Sequence, residues 1–262
     1  MASFIVAQIS DLHITNPEQP LFGRMDTAAA LARCVEHIAR LPVVPDALVA
    51  SGDLVNAGSG EEYGLLRRLL SPLPMAVYLM PGNHDDVVTL RAGFPDHGYF
   101  PVSGKLNYTL VISGLRLVML DTVTAGEDGG ALGAAQLEWL EEQLASDPER
   151  PTLLFMHHPP FATGIQYMDE IALDAGDADR LGALASRYRC VRRISCGHVH
   201  RAVCVTWHGA TVGICPSSAF QYGLQLGPDA RPFLSEEQPA YQLHCWNGTD
   251  LVTHTVQIDV PK

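Results

Sequence analysis

Three short apolar runs, FIVAQIS (4–10), DALVASG (46–52) and MAVYLMPG (75–82), alternate with two segments whose apolar residues recur at helical spacing. In the first segment Ala28, Leu31, Ala32, Val35, Ile38 and Ala39 share one face between Thr27 and Leu41, and Pro42 stands just beyond. The second covers 61–70 and ends near Pro72. Strand, helix, strand, helix, strand leaves little freedom: such a chain folds into a parallel sheet joined by right-handed crossovers.

The remaining chain predicts a second sheet. LNYTLVI (106–112) and LRLVMLD (115–121) flank Ser113-Gly114 as a hairpin. AAQLEWLEEQL (134–144) is an amphipathic helix, TLLFMHH (152–158) a buried strand, and 177–188 another helix. VRRISCG (191–197) opens a strand-rich tail, with hairpins turning at His208-Gly209 and Asn247-Gly248. The irregular stretch 159–176 reads as an active-site loop. The order implies an α/β fold with two packed sheets and helices on both outer faces. No linker divides residues 1–262, so a single domain is expected, with 202–258 as its strand-rich C-terminal part.

Composition removes several functions. A formal charge of −12 argues against stable nucleic-acid binding. No apolar stretch approaches the roughly 20 residues of a membrane span. MASFIVAQISDLH lacks the basic start and long apolar core of an export signal. A cytoplasmic location with six reduced cysteines, none in a CxxC pair, is therefore expected.

The chemistry concentrates where strands end. SDLH supplies Asp11 and His13, SGDLVN supplies Asp53, and PGNHDD supplies Asn83 and His84. FMHHPP adds His157 and His158, and SCGHVH adds His198 and His200. Taken singly, each has a bland explanation as a turn or helix cap. In an open α/β sheet, however, the C-terminal strand ends share one rim, so five separated segments can converge. Carboxylate, imidazole and amide oxygen, without cysteine, suit Mn²⁺, Fe or Zn²⁺ at five- or six-coordinate sites. Seven donors are too many for one ion, and with one bridging carboxylate they suit two.

DLH, GDLVN, GNHD, a histidine before PP, and GHVH, in that order over residues 8–200, resemble the calcineurin-like metallophosphoesterase superfamily. LFGRMDTAAAL (21–31), and HHPPFATG followed by MDEIA, resemble its bacterial cyclic-nucleotide phosphodiesterase and glycerophosphodiesterase branch. The resemblance implies a four-layer α-β-β-α sandwich of two mixed sheets. It assigns Asp11, His13 and His200 to one metal, Asn83, His157 and His198 to a second, and Asp53 to both. It makes His84 the catalytic histidine beside Asn83. The implied enzyme hydrolyses small phosphodiesters by attack of a metal-bridging hydroxide, and relatives commonly form homodimers or larger assemblies. The alternatives are a phosphomonoesterase or phosphonate monoester hydrolase on the same scaffold and, more remotely, a non-catalytic interaction scaffold. GDLVN lacks the aspartate-arginine pair of the GDxVDRG block found in serine/threonine phosphatases of this superfamily. CPSSAFQYG (215–223) lacks the histidine that glycerophosphodiesterases often place there, which leaves a less polar pocket near Phe220 and Tyr222.

Other residues receive structural roles. His158 points away from its neighbour's ligand site, and Asn56 braces the loop behind Asp53. Asp85 and Asp86 either cap the following helix, the preferred role, or orient His84. Phe22, Tyr167 and Met168 either line a groove or pack locally, and Trp139 joins the core. His37, His97, His208, His244 and His254 are left outside the chemistry.

Overall fold

The computed structural model describes residues 4–16, 18–229 and 231–259. The predicted alternation is present as β1 (Phe4–Ile9), α1 (Thr27–Ala39), β2 (Ala47–Ser51), α2 (Gly60–Leu70) and β3 (Ala76–Met80). A short α3 (Val87–Gly93) follows the PGNHDD turn, then β4 (Tyr108–Ile112), β5 (Leu115–Leu120), α4 (Gly133–Ala145) and β6 (Thr152–Met156). The expected loop 159–176 contains a one-turn α5 (Gln166–Asp169) and runs into α6 (Ala175–Arg187). The chain then forms β7 (Val191–Cys196), β8 (Val203–Trp207), β9 (Ala210–Ile214), β10 (Ala240–Trp246) and β11 (Leu251–Gln257).

The strands make two mixed sheets, ordered β11-β10-β1-β2-β3 and β4-β5-β6-β7-β9-β8. In the first, β1, β2 and β3 run parallel, while β10 is antiparallel to β1. The tail therefore serves both sheets: β8 and β9 extend the second, whereas β10 and β11 return to the first.

Period-two alternation sorts side chains into three apolar layers. Ala7, Leu48 and Ala50 face α1 and α2; Val118, Leu120, Leu154 and Met156 face α4 and α6. Val6, Val49, Leu117, Met119, Leu153 and Phe155 fill the space between the sheets. This is the α-β-β-α sandwich. Both sheets present C-terminal strand ends at one rim, where the loaded turns lie.

Candidate metal centre

Directly after β1, β2 and β7 the backbone adopts an uncommon conformation. Asp11, His13, Asp53, His198 and His200 all have positive φ, at 53°, 43°, 49°, 73° and 54°. For non-glycine residues the left-handed region costs roughly 1–2 kcal/mol each, and such strain clusters at functional sites. Here it turns alternate residues inward. Leu12 and Val199, between the inward pairs, are each 1% exposed and drop into the core.

The eight sequence-predicted residues form one connected cluster. His13 Nε2 lies 3.1 Å from His200 Nε2 and 3.4 Å from Asp53 Oδ2. His200 Nε2 is 3.5 Å from Asp11 Oδ1. On the other side of Asp53, His157 Nε2 lies 3.4 Å from Oδ1. His198 Nδ1 is 3.2 Å from Asn83 Oδ1, and the His157 and His198 rings are 5.3 Å apart. His84 joins through its backbone N–H, which donates to Asp53 Oδ1 at 3.0 Å.

The donor set fits a cation by three independent measures. Two ligands on one ion at about 2.1 Å and right angles stand about 3 Å apart, close to the spacings found here. Tautomers are preset: His157 Nδ1–H donates to the Ser51 carbonyl at 2.9 Å, and His200 Nδ1–H to the Phe220 carbonyl at 3.1 Å. Each bond leaves the Nε2 lone pair facing inward. Finally, Asp11 Oδ2 and His157 Nε2 are buried without a hydrogen-bond partner, which ordinary packing avoids.

Electrostatics agree. Burial, with a smaller push from Asp53, raises the Asp11 carboxyl to about 7. Burial also opposes ionisation of Asp53, yet His157 and then His13 hold it well below the usual range. Burial would keep His157 neutral, but Asp53 and then Asp11 lift it to about 9. The carboxylates thus demand positive charge between them. His13 and His198, depressed by burial to about 4 and about 3, remain neutral donors.

The calcineurin-like phosphoesterase family model matches residues 4–202. The chain belongs to this family. It is 35% identical over 255 residues to a probable glycerophosphodiester phosphodiesterase of Arcobacter nitrofigilis, covering 97% of this chain and 93% of that one. It is 30% identical to a cAMP/cGMP dual specificity phosphodiesterase of Mycobacterium tuberculosis, across 97% of this chain and 79% of the relative. A dimetal phosphatase of Danio rerio shares the fold, with TM-score 0.66 and 15% identity over 98% of this chain and 99% of the other.

Some details of this calcineurin-like centre differ from the sequence expectations. Asp86 caps α3, its side chain accepting from Thr89 N at 2.7 Å, but Asp85 is no cap. Asp85 is 7% exposed and accepts from Leu54 N, Val55 N, Gly82 N and Tyr63 O–H, tying the Asp53 turn to the Asn83 turn. Of the residues read as either groove lining or local packing, Met168 is buried in the core and Tyr167 packs against it, in line with the packing reading. His158 lies beside His157 and His198, within 4.8 Å of their nitrogens. Its Nε2–H donates to the Asp128 carbonyl at 3.0 Å and its Nδ1 accepts from Thr122 O–H at 2.7 Å. With both nitrogens engaged, no lone pair is left for an ion. Thr122 and Asp128 carried no sequence signal, because neither belongs to a motif.

Gly82 is required by close approach. A Cβ there would collide with Asp53 and lie 2.8 Å from His157 Nε2. Gly82→Ala is expected to lower metal affinity about 10–100-fold, the usual range for disturbed ligand support. Metal retained after dialysis against a graded chelator series checks this, and wild-type retention would contradict it.

Proposed function

We propose that the chain is a dinuclear metal-dependent phosphodiesterase acting on small diesters. The observation that carries this reading is the position of Asp53, whose two oxygens face separate donor sets, His13 on one side and His157 on the other. Asp11, His13, Asp53 and His200 would hold one ion; Asp53, Asn83, His157 and His198 would hold the other. When bound, the pair clamps a phosphoryl group, lowers the pKa of a water and offsets charge on entering and leaving oxygens. Imidazole, carboxylate and amide donors admit Mn²⁺, Fe or Zn²⁺.

The remaining work belongs to the chain. Asn83 presents its amide oxygen toward His198, and His84 stands exposed beside it. His84 Nδ1–H donates to the Asn56 carbonyl at 2.9 Å, which fixes the ring and directs Nε2 to the substrate. From there it stabilises a phosphoryl oxygen or protonates the departing alkoxide.

Two cavities flank this histidine and its Asn56 anchor, in keeping with a phosphate that carries two arms. One, of about 820 Å³, is lined by Asn83, His84, Val88, Lys105 and Gln136. The other, of about 850 Å³, is lined by Asn16, Phe22, Asn56 and Glu61. Phe22 meets Phe220 edge-on at 5.7 Å, and Phe220 packs on His200 at 4.4 Å and on Tyr222 at 5.5 Å. Phe22, the aromatic side chain that lines this cavity, favours a planar arm such as a nucleobase; the glycerophosphodiesterase relative keeps glycerol diesters in the same substrate class. Phe22 is 55% exposed, so truncating it leaves the core intact. Phe22→Ala should raise KM for diesters with an aromatic arm about five- to tenfold, as expected from about 1 kcal/mol of stacking, with kcat unchanged. A dimethyl phosphate control should not respond.

The deciding experiment counts metal per chain and compares bis(p-nitrophenyl) phosphate with p-nitrophenyl phosphate in Mn²⁺. Two ions and a diester preference support the proposal. A monoester preference would make the enzyme a phosphomonoesterase, and neither metal nor turnover would revive the scaffold reading. We further propose that residues 1–262 act as one domain, since β10 from the tail pairs with β1. A cytoplasmic location accords with six free thiols, and no helix among the described residues is long and apolar enough to cross a membrane. Homo-oligomerisation through the tail, where β11 is an edge strand and Val252 is 45% exposed, is tested by light scattering.

A further inference from the structure

Between the two sheets the apolar filling stops short of the metal rim, and a polar cluster replaces it. Gln8, Ser51, Ser195 and His244 are all 0% exposed. Their placement follows from strand parity: Gln8 lies two residues after Val6, and Ser51 two after Val49, on the faces turned toward the second sheet. Ser195 comes from β7 of that second sheet, and His244 from β10.

Gln8 satisfies its whole amide here, with two bonds inside its own sheet and two across the gap. Nε2 donates to Ser51 Oγ at 2.8 Å and to the Cys196 carbonyl at 3.2 Å. Oε1 accepts from Ser195 Oγ at 2.6 Å and from His244 Nε2 at 2.9 Å. His244 in turn accepts at Nδ1 from Thr253 O–H at 2.8 Å. Every proton has one consistent place, so the amide cannot flip without leaving the Cys196 carbonyl facing an oxygen. Such a complete network locks geometry, whereas losing one member leaves several buried groups unpaired.

The tied strands are those that deliver the metal donors. Ser51 precedes Gly52 and Asp53, and its carbonyl accepts the Nδ1–H that orients His157. Ser195 and Cys196 end β7, directly before Gly197 and His198. Asp11, His13, Asp53 and Asn83 come from the first sheet; His157, His198 and His200 come from the second. Each ion's donor set therefore draws on both sheets. Apolar packing between sheets resists separation but tolerates sliding, because it has no direction. The two directed hydrogen bonds that cross from Gln8 to β7, one to the Cys196 carbonyl and one from Ser195 Oγ, do not.

We infer that Gln8 is the positioning residue that sets the two sheets in register so that their donors can share a pair of ions. This rests on the dinuclear reading above. Gln8 touches neither substrate nor metal; it acts through Ser51 on His157 and through β7 on His198.

The test uses Gln8→Leu and a repaired variant, Gln8→Leu with Ser51→Ala, Ser195→Ala and His244→Phe. The repair removes the polar groups that the single change would orphan, so it recovers folding even if Gln8→Leu alone does not fold. Each folded protein is titrated with Mn²⁺ alone, and binding is read by calorimetry and by electron paramagnetic resonance. Wild type should take up two ions with the spectrum of a coupled pair. The repaired variant, with a melting temperature close to wild type before metal is added, should bind at least about tenfold more weakly and give the six-line spectrum of isolated Mn²⁺. Gln8→Glu, which keeps the acceptor but loses both donors, should also fail to give the coupled spectrum. Two ions bound by the repaired variant with wild-type affinity and coupling would overturn the inference. Wild type binding fewer than two ions would instead remove the dinuclear reading beneath it.

Discussion

Asp53→Asn should abolish the centre as a pair: a folded chain holding less than one ion and hydrolysing diesters at least about 10⁴-fold more slowly. The magnitude follows from the two sides of this carboxylate. An asparagine offers one oxygen and one NH₂, so it cannot present an acceptor to both His13's side and His157's side. Loss of Lewis-acid stabilisation worth several kcal/mol, at 1.36 kcal/mol per decade, accounts for the rate. Metal per chain and kcat/KM on bis(p-nitrophenyl) phosphate are the direct readouts. A thermal melt adds an independent one: ions that bind only the folded state raise the wild-type melting temperature, and Mn²⁺ should leave the variant's unmoved. Near-normal metal content would mean that the ions are held without Asp53 as the shared ligand.

Why the candidate donors were legible in the sequence, and the residues packed behind them were not, has a physical basis. Buried parallel strands read as apolar runs, and a run that ends in DLH, GDLVN or GHVH shows its chemical residues at the rim. That local information also located nearly every strand and helix. Pairing partners are not local. Nothing in YQLHCWNG says that β10 will lie beside β1, some 235 residues earlier, since period two encodes which face is buried and not which strand is adjacent. The same limit hid Gln8, whose four bonds involve residues at least 43 positions away. Asp85 looked like a cap because aspartate before a helix usually is one. Only the folded positions of Leu54, Val55 and Tyr63 make it a cross-link. His158 is the converse case: expected to point elsewhere, it lies beside His157 and His198, and its partners Thr122 and Asp128, which occupy both its nitrogens, emerge only from the three-dimensional arrangement. The left-handed backbone at five donors was equally invisible, because aspartate and histidine do not announce positive φ as glycine does.

His84→Ala should separate chemistry from metal binding. The anchor between His84 and Asp53 runs through the backbone N–H, which alanine keeps, while the imidazole itself is exposed. Metal content should therefore stay at the wild-type value. If the ring protonates the leaving alkoxide, the loss depends on that group's basicity. Alkyl diesters, whose alkoxides depart poorly, should lose about 10²–10⁴-fold in kcat, within the usual range for general acid catalysis. A p-nitrophenyl diester, whose phenolate needs no proton to leave, should lose about tenfold or less. Added imidazole should restore part of the alkyl activity, because removing the side chain opens space on the exposed side of Asn83. A uniform loss across leaving groups would instead assign His84 to a phosphoryl oxygen, since stabilising charge there does not depend on which alcohol departs. Loss of metal would make it a positioning residue acting through Asp53. The hydrogen bond from Nδ1–H to the Asn56 carbonyl favours the proton-donor role, because it leaves Nε2 as the nitrogen able to exchange a proton with substrate.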